Sequence, residues 1–210
     1  FRALVMTSGN RTDEPICIKN EEAISRLAGI ADAWLDHDRE ILVRCDDSVA
    51  AVFPSGPTFL RRSRGYAPAP VRLERDYPAV LALGPHLKST LCILKGHHAF
   101  LSPHIGDLAT PQARDFHREA LALMERITEC RPAVVARDLH PGYYSTLAAE
   151  SLKRETVIPV QHHHAHIVSA MAENGLSGEV IGLSMDGTGY GTDGRIWGCE
   201  FLVAGELDFR

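Results

Sequence analysis

The chain has 210 residues, of which 45% are hydrophobic and 23% charged, so an ordinary globular protein of one or two domains is expected. Its 22 Lys and Arg residues against 27 Asp and Glu residues give a formal net charge of -5, which excludes a global positive field that would draw the chain onto nucleic acid or an anionic membrane. The longest apolar runs, such as residues 49–53, fall far short of the roughly 20 residues that a membrane-spanning helix needs.

The chain ends bear on whether the sequence is a segment of a longer protein, and the cysteines bear on its redox environment. The sequence starts at Phe1 without an initiator Met or a leader pattern, and it stops inside a strand-like stretch, so we expect an internal segment of a longer protein. The 5 cysteines are scattered and include no C-x-x-C pair. This favours reduced thiols in a cytoplasmic protein over a disulfide framework or a cysteine zinc site.

Up to residue 77 the pattern predicts one helix followed by strands. Asn20 can cap a helix that carries two glutamates in its first turn and runs towards Trp34. Short apolar runs then predict three strands, at residues 41–43, 49–53 and 58–62. Proline and charge replace the apolar periodicity over residues 66–78, so we place a domain boundary near residue 77, between domains of residues 1–77 and 78–210.

After residue 77, strands and helices alternate. The predicted strands are residues 80–83, 90–94, 99–101, 133–136, 157–160, 180–185 and 196–203. The predicted helices are residues 111–130, 143–152 and 162–174, the first with Phe116, Ala120, Leu123, Met124 and Ile127 facing inward. This alternation predicts an α/β fold with a largely parallel sheet covered on both faces.

An internal echo links two parts of this second region. Residues 80–91 read as a strand, a glycine-bearing turn and a second strand, and residues 182–194 repeat that plan about a hundred residues later. Two such hairpins, each opening a lobe, suggest duplicated lobes that face a nucleotide from both sides. Either hairpin alone is more simply a common glycine turn.

The strongest local signal is the histidine cluster at residues 162–166. His162 and His166 are four residues apart, which on a helix places both imidazoles on one face at a spacing suited to one metal ion. Imidazole ligands together with a third ligand, expected to be a carboxylate from elsewhere, would suit iron or zinc. The competing interpretation is a solvated histidine-rich turn.

A glycine-rich loop follows the predicted strand at residues 180–185. Gly187, Gly189 and Gly191 leave backbone N–H groups free of side-chain obstruction, where they can line phosphate oxygens, and Asp186 can hold a metal or polarise water. The spacing excludes a P-loop, and the predicted absence of a following helix excludes a dinucleotide fingerprint. A tight hairpin is the simpler alternative.

Other anion-binding candidates lie outside this loop. Lys88 in the first hairpin can meet a phosphate from the opposite side, although an exposed turn lysine is commonplace. Ser8 and Asn10 offer a hydroxyl and an amide in a turn. Arg62 and Arg64 fall on the same side of a strand and can form an anion clamp, or simply a solvated face.

Together, these segments resemble the hydrogenase maturation carbamoyltransferase HypF family. Residues 7–10, 44–49 and 61–68 look like the latter half of a YrdC-like domain, and residues 138–141, 160–166 and 186–194 look like the first part of a TsaD-like domain. The resemblance spans nearly the whole chain, with the two domain types in the order that HypF has them. It implies the end of a YrdC-like α/β domain followed by a truncated actin/Hsp70-like domain with ribonuclease-H-like lobes.

The resemblance also implies an activity. The YrdC-like domain would use ATP to convert a carbamoyl group from carbamoyl phosphate into carbamoyl adenylate, and the TsaD-like domain would pass it to the C-terminal cysteine of HypE. Ser8 and Asn10 would bind the adenylate, with Arg62 and Arg64 near its phosphate. His162 and His166 would ligate iron or zinc, with Mg²⁺ accompanying ATP, and Asp186 and its glycines would face nucleotide phosphate.

The sequence departs from the family pattern in ways that bear on activity. Acylphosphatase-like and zinc-finger-like modules, early YrdC-like basic residues and a distal carboxylate ligand are missing, so we expect the isolated segment to be inactive. Pro85 and His86 precede Lys88 where a smaller or acidic residue is expected, which weakens a phosphate role for that turn. Two alternatives stay open: a threonylcarbamoyl enzyme acting on tRNA, and a non-catalytic module binding RNA or protein, against which the net charge counts.

Overall fold

The computed structural model describes residues 2–54 and 56–210. In chain order its elements are α1 (Asn20–Arg26), β1 (Val49–Phe53), β2 (Gly56–Arg61), β3 (Val71–Ala82), β4 (Cys92–Leu101), α2 (Pro111–Thr128), β5 (Val134–Asp138), α3 (Tyr144–Ser151), β6 (Thr156–Val160), α4 (His162–Glu173), β7 (Val180–Ser184), β8 (Gly189–Tyr190), β9 (Ile196–Trp197) and β10 (Glu200–Ala204). None of these helices is long and apolar enough to cross a bilayer, as judged over the described ranges.

The main sheet has four strands in the order β4-β3-β5-β6. β5 pairs in parallel with both β3 and β6, while β4 pairs antiparallel with β3 at the edge. The short link from residue 83 to residue 91 is the reason for the antiparallel edge, because neighbouring strands joined in parallel need a crossover of a dozen or more residues. The α/β prediction is confirmed, and two of the three strand pairings in the main sheet are parallel, in line with the largely parallel sheet that was predicted.

The core lies between this sheet and the helices that pack on it. Leu81, Ile93 and Val135 of the sheet and Met124 of α2 are fully buried in one hydrophobic cluster. Thr110 caps α2 by accepting a hydrogen bond from the Ala113 amide, and Pro111 follows at the first helical position.

The predicted inward face of α2 is confirmed in part. Phe116, Ala120 and Met124 are buried as expected. Leu123 is only half-buried and Ile127 is exposed, because the buried stripe continues instead through Leu121 and Thr128.

The region before the main sheet is less regular than the sequence suggests. α1 ends at Arg26 rather than near Trp34, and Gly29 follows with φ +81°, a left-handed conformation that does not continue a helix. Lys19, not Asn20, is the N-cap residue, and no side chain caps the helix. The strand expected at residues 41–43 does not form, since this segment has no pairing partner among the described residues and Leu42 is largely exposed. The strands predicted at residues 49–53 and 58–62 form as β1 and β2, and they pair as an antiparallel hairpin.

The last strands differ from the sequence expectation in their pairing. The strand predicted at residues 196–203 is two strands, divided at Cys199, whose φ is +58°. β7 pairs antiparallel with β10, and β8 pairs with β9. The echo of the first hairpin is therefore partial: β3 and β4 are consecutive partners, whereas the β8-β9 hairpin is inserted between β7 and β10.

Arg44 joins the two regions on either side of β3. Its Nη2 atom lies 3.1 Å from Glu22 Oε1 on α1, its Nη1 atom lies 2.6 Å from Glu119 Oε2 on α2, and its Nε donates to the Ile16 carbonyl oxygen at 3.0 Å. The Arg44 side chain is only 12% exposed. Hydrogen bonds to charged groups in such a setting contribute more to stability than neutral ones do.

We predict that Arg44→Gln lowers the free energy of unfolding by about 1–3 kcal/mol, because Glu22 and Glu119 lose a shared cation. Urea unfolding of the intact protein measures this change. Arg39→Gln replaces an exposed arginine and is the control, with an expected change within about 0.5 kcal/mol. Equal stability of the two variants would show that Arg44 does not tie the regions together.

A second prediction concerns His117, which is buried in α2 and hydrogen-bonds through Nε2 with the Leu83 carbonyl oxygen at 3.3 Å. Burial lowers the pKa of His117, and the Leu83 carbonyl only partly opposes this. The unfolded state therefore binds the proton more readily than the folded state does. The contribution of His117 to the free energy of unfolding is fully present above the ordinary histidine pKa, and it is lost as the pH falls from there through the lowered pKa of the folded state. Unfolding measured between pH 7 and pH 5 should show a shallower decrease in His117→Gln than in the wild type; equal slopes would contradict the assignment.

Candidate functional site

Three side chains from two elements converge on one point beside the main sheet. His162 and His166 lie on the first two turns of α4, and Asp186 follows β7. The Nε2 atoms of the two histidines are 3.2 Å apart, and His162 Nε2 is 3.2 Å from Asp186 Oδ2. The ligand atoms of the three residues all lie within 4.8 Å of one another. Asp186 is thus a candidate for the third, carboxylate ligand within this segment.

The pairing of β5 with β6 orients His162. Asp138, the last residue of β5, is paired with Val160 at the end of β6, two residues before His162. Its Oδ2 atom lies 2.7 Å from His162 Nδ1, and its Oδ1 atom accepts a hydrogen bond from the His140 amide at 2.8 Å. A carboxylate can only accept here, so His162 carries its proton on Nδ1 and directs the Nε2 lone pair towards His166 and Asp186.

The surroundings shift the pKa values of the three candidate ligands. The hydrogen bond to Asp138 raises the pKa of His162, and the charge of Asp186 adds to this. Burial lowers the pKa of His166, as does the neighbouring His162. Burial alone would raise the pKa of Asp186, but the hydrogen bond from the Ser184 hydroxyl and the adjacent histidines bring it below its ordinary value. Asp186 is therefore ionised, and His166 is neutral, near neutral pH.

These residues fit a divalent transition metal. Ligand atoms about 2.0–2.1 Å from a tetrahedral zinc lie about 3.3 Å apart, close to the two separations of 3.2 Å. Asp186 Oδ2 is buried and has no hydrogen-bond partner in the described residues, which is costly unless the atom binds a ligand. Two imidazoles and one carboxylate suit either iron or zinc.

The loop after Asp186 is shaped by packing at two of its three predicted glycines. A Cβ atom on Gly189 would lie 2.4 Å from His163 Cε1, and one on Gly191 would lie 2.2 Å from Trp197 Nε1. The Gly191 amide also donates to the Arg195 carbonyl oxygen at 2.7 Å. Gly187 is exposed, and a Cβ atom there would meet nothing within 4 Å among the described residues. Phosphate binding by these glycines remains a prediction, for which Gly187 has the most open surroundings.

A second candidate site is a cavity of about 270 Å³ between the region before β3 and the β3-β4 turn. It brings together Asn10 and Lys88, which the sequence assigned to different domains, and adds Arg44, Arg61 and His104. The Asn10 side-chain amide donates to the Glu14 carbonyl oxygen at 2.9 Å, which closes the turn at this wall. The Lys88 amide donates to Asp107 Oδ1 at 2.7 Å. The lining of the cavity therefore includes both positively and negatively charged side chains.

The remaining predicted anion-binding residues lie outside the lining of this cavity. Arg62 donates to the Ala69 carbonyl oxygen at 2.7 Å, and Arg64 donates to the Cys45 carbonyl oxygen at 2.8 Å. Arg61, to which sequence reasoning assigned no separate role, lines the cavity and lies 3.2 Å from Asp46. Ser8 is exposed. The roles of Ser8, Arg62 and Arg64 in binding remain predictions.

The sequence does not identify Asp138 and Gln161 as supports of the candidate metal ligands. Asp138 stands out there only as part of a motif, and His163 is left open between a supporting role, a substrate-facing role and none. The sequence does contain a pattern that could have identified Asp138. This carboxylate comes at the end of a predicted parallel strand, and neighbouring parallel strands end at the same edge of a sheet, so Asp138 is expected near the residues that follow the next strand. No such signal distinguishes His163 from its three neighbouring histidines.

Comparison with known families assigns both regions. Residues 1–63 match the Sua5/YciO/YrdC family model, described as telomere recombination. Residues 75–173 match the model described as HypF Kae1-like domain, and residues 182–210 match the one described as carbamoyltransferase, Kae1-like domain, second subdomain.

Individual relatives agree with this assignment. Carbamoyltransferase HypF2 of Cupriavidus necator is 49% identical over 208 residues, which cover 95% of this chain and 26% of that protein. Carbamoyltransferase HypF of Rhizobium leguminosarum is 47% identical over 201 residues, covering 96% of this chain and 26% of that protein. The chain thus spans about a quarter of these relatives.

Solved structures share the fold. A crystal structure of full-length HypF in the phosphate- and nucleotide-bound form superposes with a TM-score of 0.93 at 47% identity, covering 97% of this chain and 32% of that one. The crystal structure of T. kodakarensis HypF gives a TM-score of 0.84 at 39% identity, over 94% and 26% of the two chains. The chain belongs to the HypF carbamoyltransferase family and comprises a YrdC-like region followed by a Kae1-like domain.

Proposed function

We propose that this chain forms part of an ATP-dependent carbamoyltransferase of [NiFe] hydrogenase maturation. The observation that carries the proposal is the His162, His166 and Asp186 centre in a chain that joins a YrdC-like region to a Kae1-like domain, as HypF relatives do. The free thiol state of all 5 cysteines suits the reducing cytoplasm, where we place the protein.

The first reaction is the activation of the carbamoyl group. Water cleaves the phosphorus–oxygen bond of carbamoyl phosphate, which gives carbamate and inorganic phosphate. A carbamate oxygen then forms a bond to the α-phosphorus of ATP, and pyrophosphate leaves with the electron pair of the bond that breaks. Asn10 and Ser8 bind the adenylate in this proposal, and Arg62 and Arg64 stabilise the negative charge on its phosphate oxygens. The cavity that contains Asn10 also provides Arg61 and Lys88 as cations within reach of a bound anion.

The second reaction transfers the carbamoyl group. The thiolate of the C-terminal cysteine of HypE attacks the carbamoyl carbon, the carbon–oxygen bond to AMP breaks, and AMP leaves with the electron pair. A divalent metal bound by His162, His166 and Asp186 would supply a Lewis acid that orients and polarises substrate oxygens. Asp186 adds a fixed negative charge to the ligand set, and Gly187 leaves its backbone open for phosphate contact.

We predict that ATP–pyrophosphate exchange by a full-length HypF carrying this sequence requires carbamoyl phosphate and decreases at least about tenfold in Asn10→Ala. Asn10 Nδ2 closes the turn at the cavity wall by donating to the Arg11 and Glu14 carbonyl oxygens, which leaves Oδ1 to accept a hydrogen bond from the adenylate. The variant loses both functions, and a tenfold decrease corresponds to about 1.4 kcal/mol, the magnitude of one or two hydrogen bonds. Arg39→Ala, which alters an exposed residue, should exchange like the wild type. Exchange that requires threonine and bicarbonate instead would move the protein to tRNA modification, and exchange with neither substrate would contradict adenylate formation.

We also predict that the intact protein binds one Zn²⁺ or Fe²⁺ ion at the histidine centre. His166→Ala and Asp186→Asn should weaken binding by more than the 10–100-fold that is typical of changes around metal ligands. Chelator competition measures these affinities. His97→Ala removes an exposed histidine on β4 and is the control, with unchanged affinity expected. Undiminished binding in both ligand variants would place the metal elsewhere.

A further inference from the structure

His163 is the one residue of the histidine cluster that is fully buried, with 0% of its surface exposed. Its Nε2 atom lies 3.2 Å from Asp186 Oδ2. Neither atom has a hydrogen-bond partner in the described residues, and the two are not yet aligned for a bond with each other. Two buried polar atoms that face one another in this way indicate an interaction that a small rotation of the Asp186 carboxylate completes.

Gln161 determines which nitrogen of His163 carries the proton. The backbone amide of His164 donates to Gln161 Oε1 at 2.8 Å as the N-cap bond of α4, which fixes the orientation of the side-chain amide. Gln161 Nε2 is therefore the atom 3.1 Å from His163 Nδ1. An amide nitrogen can only donate, so His163 Nδ1 accepts and the neutral ring carries its proton on Nε2, the atom that faces Asp186.

The rest of the surroundings hold the His163 ring in this position. Gly189 lies so close that a Cβ atom there would be 2.4 Å from His163 Cε1. The Trp197 ring stacks near the imidazole at 6.5 Å between centroids with an interplanar angle of 18°. The ring therefore has little freedom to turn away from Asp186.

We propose that His163 is a positioning residue that donates its Nε2–H to Asp186 and thereby fixes this carboxylate for metal binding. Ser184 Oγ hydrogen-bonds with Oδ1 of the same carboxylate. With both oxygens held, the remaining lone pair of Oδ2 is directed towards His162 Nε2, 3.2 Å away. The inference rests on the metal centre of the proposed function and adds a relay from Gln161 through His163 to Asp186.

His163 is not itself a ligand in this arrangement. Its ring nitrogens are not part of the cluster in which all ligand atoms lie within 4.8 Å. The proton that Gln161 places on Nε2 also occupies the nitrogen that faces the centre, and a metal needs an unprotonated nitrogen.

The test uses two amides of different length at this position. In His163→Gln the side-chain nitrogen occupies roughly the place of Nε2 and can still donate to Asp186, whereas in His163→Asn it reaches only the place of Nδ1. We expect Zn²⁺ affinity, measured by chelator competition on the intact protein, to stay within about threefold of the wild type for His163→Gln. For His163→Asn it should decrease about 10–100-fold.

His164→Gln is the matched control for a buried histidine on the same helix. His164 Nε2 lies 2.8 Å from the Gly205 carbonyl oxygen, on the side of α4 away from Asp186, so unchanged Zn²⁺ affinity is expected. Circular dichroism verifies that each variant is folded. Zn²⁺ binding by His163→Asn as tight as the wild type, or equal weakening in His163→Gln and His163→Asn, would overturn the donor role.

A spectroscopic measurement addresses the tautomer without metal or activity. The ¹⁵N NMR shifts of the metal-free wild type should show His163 protonated at Nε2 and unprotonated at Nδ1. A proton on Nδ1 would overturn the relay. Failure of the wild type to bind Zn²⁺ would overturn the metal centre and the inference with it, whereas tight wild-type binding with an unaffected His163→Asn overturns the inference alone.

Discussion

The parallel pairing of β5 with β6 is the constraint on which the candidate centre depends. Its register places Asp138 opposite Val160, so the carboxylate at the end of one strand meets the first turn of the helix that follows the other. Parallel strands end at the same edge of a sheet, which is where the loops after them can combine their side chains. A shift of one residue would turn Asp138 to the other face of the sheet and leave His162 without its acceptor.

Helix geometry then divides the histidines of α4 among different environments. Each residue turns about 100° around the axis, so residues four apart share a face while consecutive residues do not. His162 and His166 face the centre, His163 points into the interior beneath Asp186, and His164 turns to the Gly205 carbonyl. The positive end of the helix dipole lies here and disfavours imidazolium, whereas Asp138 raises the pKa of His162. Protons therefore compete with a metal mainly at His162.

The sequence predicted what depends on local periodicity and missed what depends on distant partners. The long helix α2, the strand β5 and the metal-ligand spacing of His162 and His166 follow from patterns within one segment. Asp138 lies 24 residues before His162, and only the pairing of two strands connects them. The segment 41–43 has the composition of a strand but no partner among the described residues, and an apolar run alone does not supply one. Arg61 is the last residue of β2 and lines the cavity, whereas Arg62 and Arg64 follow the strand, contrary to the prediction that both lie on one side of it, and bind backbone carbonyl oxygens instead.

The glycine-rich loop after β7 shows that a glycine motif need not mean phosphate binding at each of its glycines. A glycine-rich sequence allows phosphate to contact the backbone at every position. A glycine is also required, however, wherever another side chain packs so closely that a Cβ atom would not fit, so the sequence alone does not distinguish the two causes. Gly189 makes room for His163 and Gly191 makes room for Trp197, so packing around the candidate metal centre accounts for both glycines. The same loop carries Asp186 at its start, so the ring that Gly189 accommodates is the one that contacts the carboxylate. Gly189 therefore packs against His163, and His163 in turn faces the Asp186 carboxylate. A larger residue in place of Gly189 would displace the His163 ring and, through it, change the surroundings of Asp186.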